Sequence, residues 1–106
     1  MDIIELNKRN VIVVTFTQAL LGCITQNFRR VAISYEKPLT RLQFILEKEN
    51  EEDQEEIDDA ITDFEAMFGR DIEELEFETI VTNESMEILP YPPWLVVYQR
   101  KEEFTS

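Results

Sequence analysis

Apolar positions along the chain follow two rhythms, one near 3.6 residues and one of two residues, and the switches between them mark six segments. Between about Asn10 and Asn27, Val13, Phe16, Leu20, Cys23 and Ile24 recur at spacings of three and four, which puts them on one face of a helix. The run Val11 to Val14 is β-branched, so the start of this segment also reads as a strand. Gly22 falls inside the pattern, where it costs about 1 kcal/mol relative to alanine. Close approach of the helix to a neighbouring element would account for it. From Arg30 to Tyr35 the rhythm changes, with Val31, Ile33 and Tyr35 alternating with smaller or polar residues. Glu36-Lys37-Pro38-Leu39 interrupts, with Pro38 supporting a turn. Arg41 to Glu47 then resumes the alternation, with Leu42, Phe44 and Leu46 on one face. Two alternating runs across a short break predict a β-hairpin.

A second helix opens at Asn50, a preferred N-cap, with Asp53 three residues on as a weaker form of the capping box. Glu51, Glu52 and Asp53 occupy the first turn, where the helix dipole favours negative charge. Ile57, Ile61, Phe64 and Phe68 form the stripe to be buried, with Ala60 and Met67 at its edges, and Gly69 suits the position that ends many helices. Glu74 to Val81 alternates again: Leu75, Phe77, Thr79 and Val81 toward a core, Glu74, Glu76 and Glu78 toward water. A polar, proline-rich loop ends in Pro90-Tyr91-Pro92-Pro93, and Trp94 to Tyr98 make the last strand. In the charged tail from Gln99, Phe104 alone is suited to dock.

The predicted order is α-β-β-α-β-β, an α+β fold built as a two-layer sandwich, with two helices on one face of a four-stranded sheet. Alternating strands need only one face covered. The crossover through the second helix leaves more than one strand order open. At 106 residues the expectation is a single domain spanning 1–106.

Charge adds what periodicity does not. The formal net charge is −13, and it is concentrated. Residues 49–88 hold seventeen acids against one base, Arg70, a net of −16, whereas residues 1–48 carry +3 and residues 89–106 are neutral. Such a surface repels phosphate, so nucleic acid is excluded as its ligand, and it steers basic partners. The first residues carry Asp2 and Glu5 where a signal peptide needs a basic start. The apolar run at Val11–Val14 is far short of the ~20 residues that span a bilayer. A cytoplasmic protein without membrane association is expected.

The inventory of reactive groups points away from catalysis. The chain has no histidine, which removes the commonest general base and the serine and cysteine triads. Cys23, the single cysteine, lies on an apolar stripe and reads as a core residue. Glycine occurs only at Gly22 and Gly69, so there is no phosphate-cradling loop and no calcium loop around Glu51–Asp63. Glu52 with Glu56, and Glu55 with Asp59, stand one helical turn apart and would hold a divalent ion weakly, but a solvated helix face explains them more simply. No cofactor and no metal are expected.

Two uses remain for the acidic block: solubility, and docking of a basic protein. A net magnitude of ~2 to 8 already keeps a small domain soluble. Sixteen units confined to one helix and one strand therefore ask for a compensating use, and docking is the better reading. The candidate contact residues are Glu51, Glu52, Glu55, Asp59 and Asp63 on the second helix, and Glu74, Glu76 and Glu78 as a second acidic strip. Tyr91 and Trp94 are candidate anchors on a proline-stiffened loop, with Trp94 as a cap on the core the even alternative. Arg29-Arg30, with Arg41 near them across the hairpin, read as surface ion-pairing residues. Trp94 and the strands at the sheet edges would serve a homo-oligomer equally well.

The stretch Gln18-Ala19-Leu20-Leu21-Gly22-Cys23-Ile24-Thr25-Gln26-Asn27-Phe28-Arg29-Arg30-Val31-Ala32 resembles the start of small bacterial proteins of the immunity type, contact-dependent growth inhibition immunity proteins among them. They share a helix with an Ala-Leu-Leu-Gly core and an Asn-aromatic/aliphatic-Arg step into a strand. The acidic helix from Glu51-Glu52-Asp53 and the closing Val97-Tyr98-Gln99-Arg100-Lys101-Glu102 are similar too. The resemblance implies a cytoplasmic protein that binds and neutralises one cognate toxin, often a nuclease. It carries over no binding residue, because such families share no functional signature. The rival reading is an acidic adaptor or nucleic-acid mimic that regulates a basic, nucleic-acid-binding host protein. A third is an enzyme working through carboxylates.

Overall fold

The computed structural model describes residues 3–36, 38–68, 72–85 and 94–101. Its elements are α1 (Ile3–Ala19), β1 (Phe28–Glu36), β2 (Leu39–Leu46), α2 (Glu51–Phe68), β3 (Glu74–Val81) and β4 (Leu95–Gln99). The order α-β-β-α-β-β and the four-stranded sheet are those the periodicity predicted. Gly69, Tyr91 with its flanking prolines, and Phe104 lie outside the described residues.

The sheet runs β3-β2-β1-β4. β1 and β2 form the antiparallel hairpin, with Glu36 opposite Leu39 across the turn. β4 adds to the free side of β1, antiparallel. β3 joins β2 in parallel, a pairing that the crossover through α2 makes possible. Both helices pack on the face that carries Val31, Ile33, Leu42, Phe44 and Leu46, and these residues share one core with Ile12, Phe16, Ile57, Ala60, Ile61 and Phe64. Phe16 is the hinge of this core. Its ring meets Phe44 of the sheet edge-on at 6.1 Å and Phe64 of α2 at 5.3 Å.

Several expectations need correction. α1 starts at Ile3 and ends at Ala19, rather than running from Asn10 to Asn27. The β-branched run stays helical because Ile12 and Phe16, not Val13, supply the fully buried side chains, and that packing outweighs the weak intrinsic preference. Gly22 is not a close-approach site, since a Cβ there would meet nothing within 4 Å. It has φ +85°, a left-handed turn that stops the helix and that a side chain would strain. Leu20 and Cys23 still reach the core, from this turn rather than from the helix. Phe77 and Val81 are about half exposed instead of buried, because β3 is an edge strand beyond the reach of the helices; Leu75 alone of its apolar residues packs against the core. The helix-free face is not uniformly wet either. Arg30, Ala32, Ser34 and Ile45 are buried on it near the middle of the sheet.

Asn50 caps α2 as expected, its Oδ1 accepting from the Asp53 backbone N–H at 3.0 Å. The reciprocal half of the capping box is absent. Asp53 instead turns its buried carboxylate to the chain before β1, accepting from Thr25 Oγ1 at 3.2 Å and Asn27 Nδ2 at 2.8 Å. Asn27 completes the clasp by accepting from the Lys48 N–H at 2.9 Å and donating to the Lys48 carbonyl at 2.8 Å. One side chain thus ties the entry of β1 to the exit of β2 and the start of α2. Asp53→Ala leaves the Asn27 amide short of an acceptor in a part-buried site. The expected loss is about 1–3 kcal/mol, read as a lower urea midpoint with an unchanged slope. An unshifted midpoint would remove the clasp from the account of stability.

Candidate acidic interface

α2 sets its acids by simple geometry. Ile57, Ala60, Ile61 and Phe64 face the core, and the rest of the circumference is left to water. Glu51, Glu52, Glu55, Asp59 and Asp63 are all exposed. Glu55, Asp59 and Asp63 stand four residues apart, so they line up as a row roughly 12 Å long. None of the five engages another described residue in a hydrogen bond or ion pair. Glu56, Asp58 and Glu65 are equally exposed on the same helix and widen the acidic face. They were missing from the sequence candidates although the acid count of the segment already contained them. Asp53, the one acid of α2 that is buried, is spent on the clasp.

The second acidic strip is separate from the first. Glu76 and Glu78 stand in register with Arg41 and Gln43, on the face of the sheet opposite α2. Glu74, two residues before Glu76, shares that side of β3, and all three acids are exposed. Gln43 Nε2 donates to Glu78 Oε1 at 2.9 Å. The structure therefore gathers the α2 acids into one surface and places the β3 acids on another, around the sheet edge.

Trp94 belongs to the β3 side. It is half-buried, is no part of the core cluster, and carries the Arg41 guanidinium 4.9 Å from its ring centroid. Trp94, Arg41, Leu42, Glu76, Phe77 and Glu78 border a recess of about 150 Å³. Stacking a cation on the ring is worth about 0.5–1 kcal/mol at an open site and holds the indole across the sheet. Arg41 is thereby far from Arg30: it pairs with Ser34, four residues further along β1, roughly 13 Å away.

Arg29 and Arg30 are not surface residues, contrary to expectation; each is only 4% exposed. Arg29 is the extra residue of a bulge between Phe28 and Arg30, and its Nη1 donates to the carbonyls of Thr82 and Glu84, both at 2.8 Å. Arg30 Nε donates to Gln99 Oε1 at 2.8 Å. Arg100 closes the same end of the sheet: its N–H donates to the Arg29 carbonyl, and its guanidinium donates to the Gln26 carbonyl at 2.8 Å and pairs with Glu47 at 3.2 Å. The Asn-Phe-Arg step and the Tyr-Gln-Arg segment, read as unconnected similarities in the sequence, are the two halves of this latch.

Cys23 is buried in the core, and burial pushes its thiol up to about 11 from an ordinary 9.0, with the fields of Glu56, Asp53 and Asp59 adding to the shift. The folded state holds the proton more tightly than the unfolded one. This contribution to stability is complete below about 9 and is lost as the pH rises toward about 11. Urea midpoints of the wild type are expected to fall more steeply over that window than those of Cys23→Ala. Parallel slopes would contradict the shift.

Among the described residues no group of three or more Cys, Asp or Glu is placed to hold a metal ion, and no helix is long and apolar enough to cross a membrane. No curated protein matches the chain. A family model described as the MafI2 immunity protein does match, over residues 9–102, which runs from within α1 through α2, all four strands and the latch, and the chain therefore belongs to the MafI2 immunity protein family.

Proposed function

We propose that this chain neutralises one cognate toxin in the cytoplasm by binding it, without catalysis, through the exposed acidic face of α2. The toxin would be basic where it is engaged, as a nuclease is in the cleft that holds phosphate. The chain acts as a single domain. The observation that carries the reading is the concentration of seventeen acids against one base in residues 49–88, with Glu51, Glu52, Glu55, Asp59 and Asp63 exposed and without a hydrogen-bond or ion-pair partner among the described residues. That arrangement costs the fold self-repulsion and yields a field that speeds encounter with a cation-rich surface, to ~10⁸ M⁻¹s⁻¹ or more at low salt. The β3 acids with Trp94 form a second contact region on the other side of the sheet, and Tyr91 is a further candidate anchor.

The test is co-expression with the toxin encoded beside the gene, followed by affinity measurement of the purified pair over a range of salt. Protection of the host cell, a stable complex and a steep loss of association rate with added salt are expected. Failure to protect would sink the immunity reading, whereas protection with salt-independent association would sink only the acidic-surface part of it.

A further inference from the structure

The sheet ends on one side at β3, whose one neighbour among the described residues is β2. The N–H groups of Glu74 and Thr82 donate to the Pro38 and Leu46 carbonyls at 3.2 and 2.9 Å. Successive residues of a strand turn their backbone groups to alternate sides. The even-numbered residues of β3 are therefore committed to β2, while Leu75, Phe77, Thr79 and Val81 hold their N–H and C=O groups toward the open side. Edge strands are commonly blunted by brevity, lysine, proline or a bulge. β3 has none of these: it is eight residues long, pairs without a register shift, and leaves six of its residues exposed. Its side chains alternate as well. Phe77 and Val81 lie about half exposed on the face that carries the helices, and Glu74, Glu76 and Glu78 line the other. At the start of the strand, Ile72, Glu73 and Leu75 border a recess of about 350 Å³ with Glu65 of α2, so the edge adjoins the acidic helix.

We propose that a strand of the toxin adds to this edge, antiparallel to β3, with Lys or Arg opposite Glu76 and Glu78 and apolar side chains over Phe77 and Val81. The proposal rests on the toxin-neutralising reading. Charge selects the occupant. In an antiparallel pair, Glu76 and Glu78 fall at positions without ladder hydrogen bonds, because their own N–H and C=O groups point to β2. Opposing Cα atoms there come to ~4.5 Å rather than ~5.5 Å, and side chains meet most closely. Opposite charges stabilise such a pair and like charges destabilise it. A second copy of this chain, pairing about the middle of β3, sets Glu76 against Glu78 twice, so the acids close the edge to itself. A cationic strand turns the same acids into cross-strand pairs. Main-chain hydrogen bonds then supply affinity, and the alternating side chains supply selectivity. A strand seated on β3 lies between the acids of α2 and those of β3, so one partner reaches both acidic surfaces around the sheet edge.

Phe77→Pro tests this at the backbone. It removes one outward N–H and leaves the ladder to β2 whole, as proline on an edge strand can. Compared with Phe77→Ala, which removes the ring alone, it is expected to weaken the complex with the toxin encoded beside the gene a further ~10- to 100-fold by calorimetry. Glu76→Lys is expected to weaken it ~10-fold. Residue-resolved hydrogen exchange reads the same pairing in the unmutated chain: the Phe77, Thr79 and Val81 amides gain protection in the complex, while those of Glu76 and Glu78 are protected already in the free chain. Far-UV circular dichroism confirms that the variants fold, and Thr79→Pro against Thr79→Ala replaces the Phe77 pair should Phe77→Pro unfold. A proline variant that binds as tightly as its alanine counterpart, or outward amides that gain no protection, overturns the edge pairing while host-cell protection by the wild type keeps the immunity reading. Failure of the wild type to protect removes both. A free chain that self-associates with the Phe77 and Thr79 amides protected also overturns the proposal, and assigns the edge to a second copy.

Discussion

The triple variant Glu55→Lys, Asp59→Lys and Asp63→Lys is expected to lose protection against the toxin while folding as well as the wild type. The three carboxylates form one exposed row on α2, so their reversal turns the centre of the acidic face basic. If each site contributes a close charge pair worth about 1.4 kcal/mol, the affinity falls by roughly 10³, mostly through slower association and steeper repulsion. The fold gains rather than loses. Lysine at position 55 stands one turn after Glu51, the favourable order for such a pair, and the segment's self-repulsion drops. Asp53 is deliberately spared, because its buried carboxylate holds Thr25 and Asn27 and its loss would confuse folding with binding. Toxicity assays in cells co-expressing each variant, with calorimetry on the purified pair, read the result. Full protection by the triple variant, at wild-type affinity, would move the interface away from α2, and the β3 acids with Trp94 would be next in line.

Stability, by contrast, hangs on Phe16. It is fully buried and is the side chain through which α1 touches both the sheet, at Phe44, and α2, at Phe64. Phe16→Ala is expected to cost about 3–5 kcal/mol, because the loss of transfer free energy is joined by a cavity that three separate elements would have to collapse to fill. A domain of this size has about 5–15 kcal/mol in all. The variant should therefore unfold at a much lower urea concentration, and a low-stability background would leave it partly unfolded at 37 °C. Phe77→Ala is the matched control. The same atoms are removed from a ring that is 50% exposed on the edge strand, and a loss below about 1 kcal/mol is expected. Equal losses at the two positions would mean that the core is not centred on Phe16.

Local pattern was enough to name the elements. A period of two at Val31, Ile33, Leu42 and Phe44 does not fit a helix, and the spacing of Ile57, Ile61 and Phe64 does not fit a strand, so type followed directly from side-chain periodicity. Asn50 was legible as a cap for the same reason: its hydrogen bond spans three residues and needs nothing from the rest of the chain. The exposed acids of α2 followed from the complementary stripe. α1 was harder, because a helix that is apolar on two sides has no single stripe, and its first turns were missed.

What the sequence by itself determined, then, was the order of six elements and the concentration of negative charge in residues 49–88. Only the tertiary structure decided the order β3-β2-β1-β4, with β3 parallel to β2, since nothing local distinguishes one antiparallel or parallel neighbour from another. That choice settled the rest. It put β3 at an edge, where Phe77 and Val81 stay half exposed, and it sent the acids of β3 to the face opposite the acids of α2. It also closed the latch of Arg29, Arg30 and Arg100 over partners 53 to 74 residues away, turning a pair of presumed surface arginines into buried donors. Local spacing reports which way a side chain points from its own backbone; what it meets there depends on chain segments brought alongside by folding.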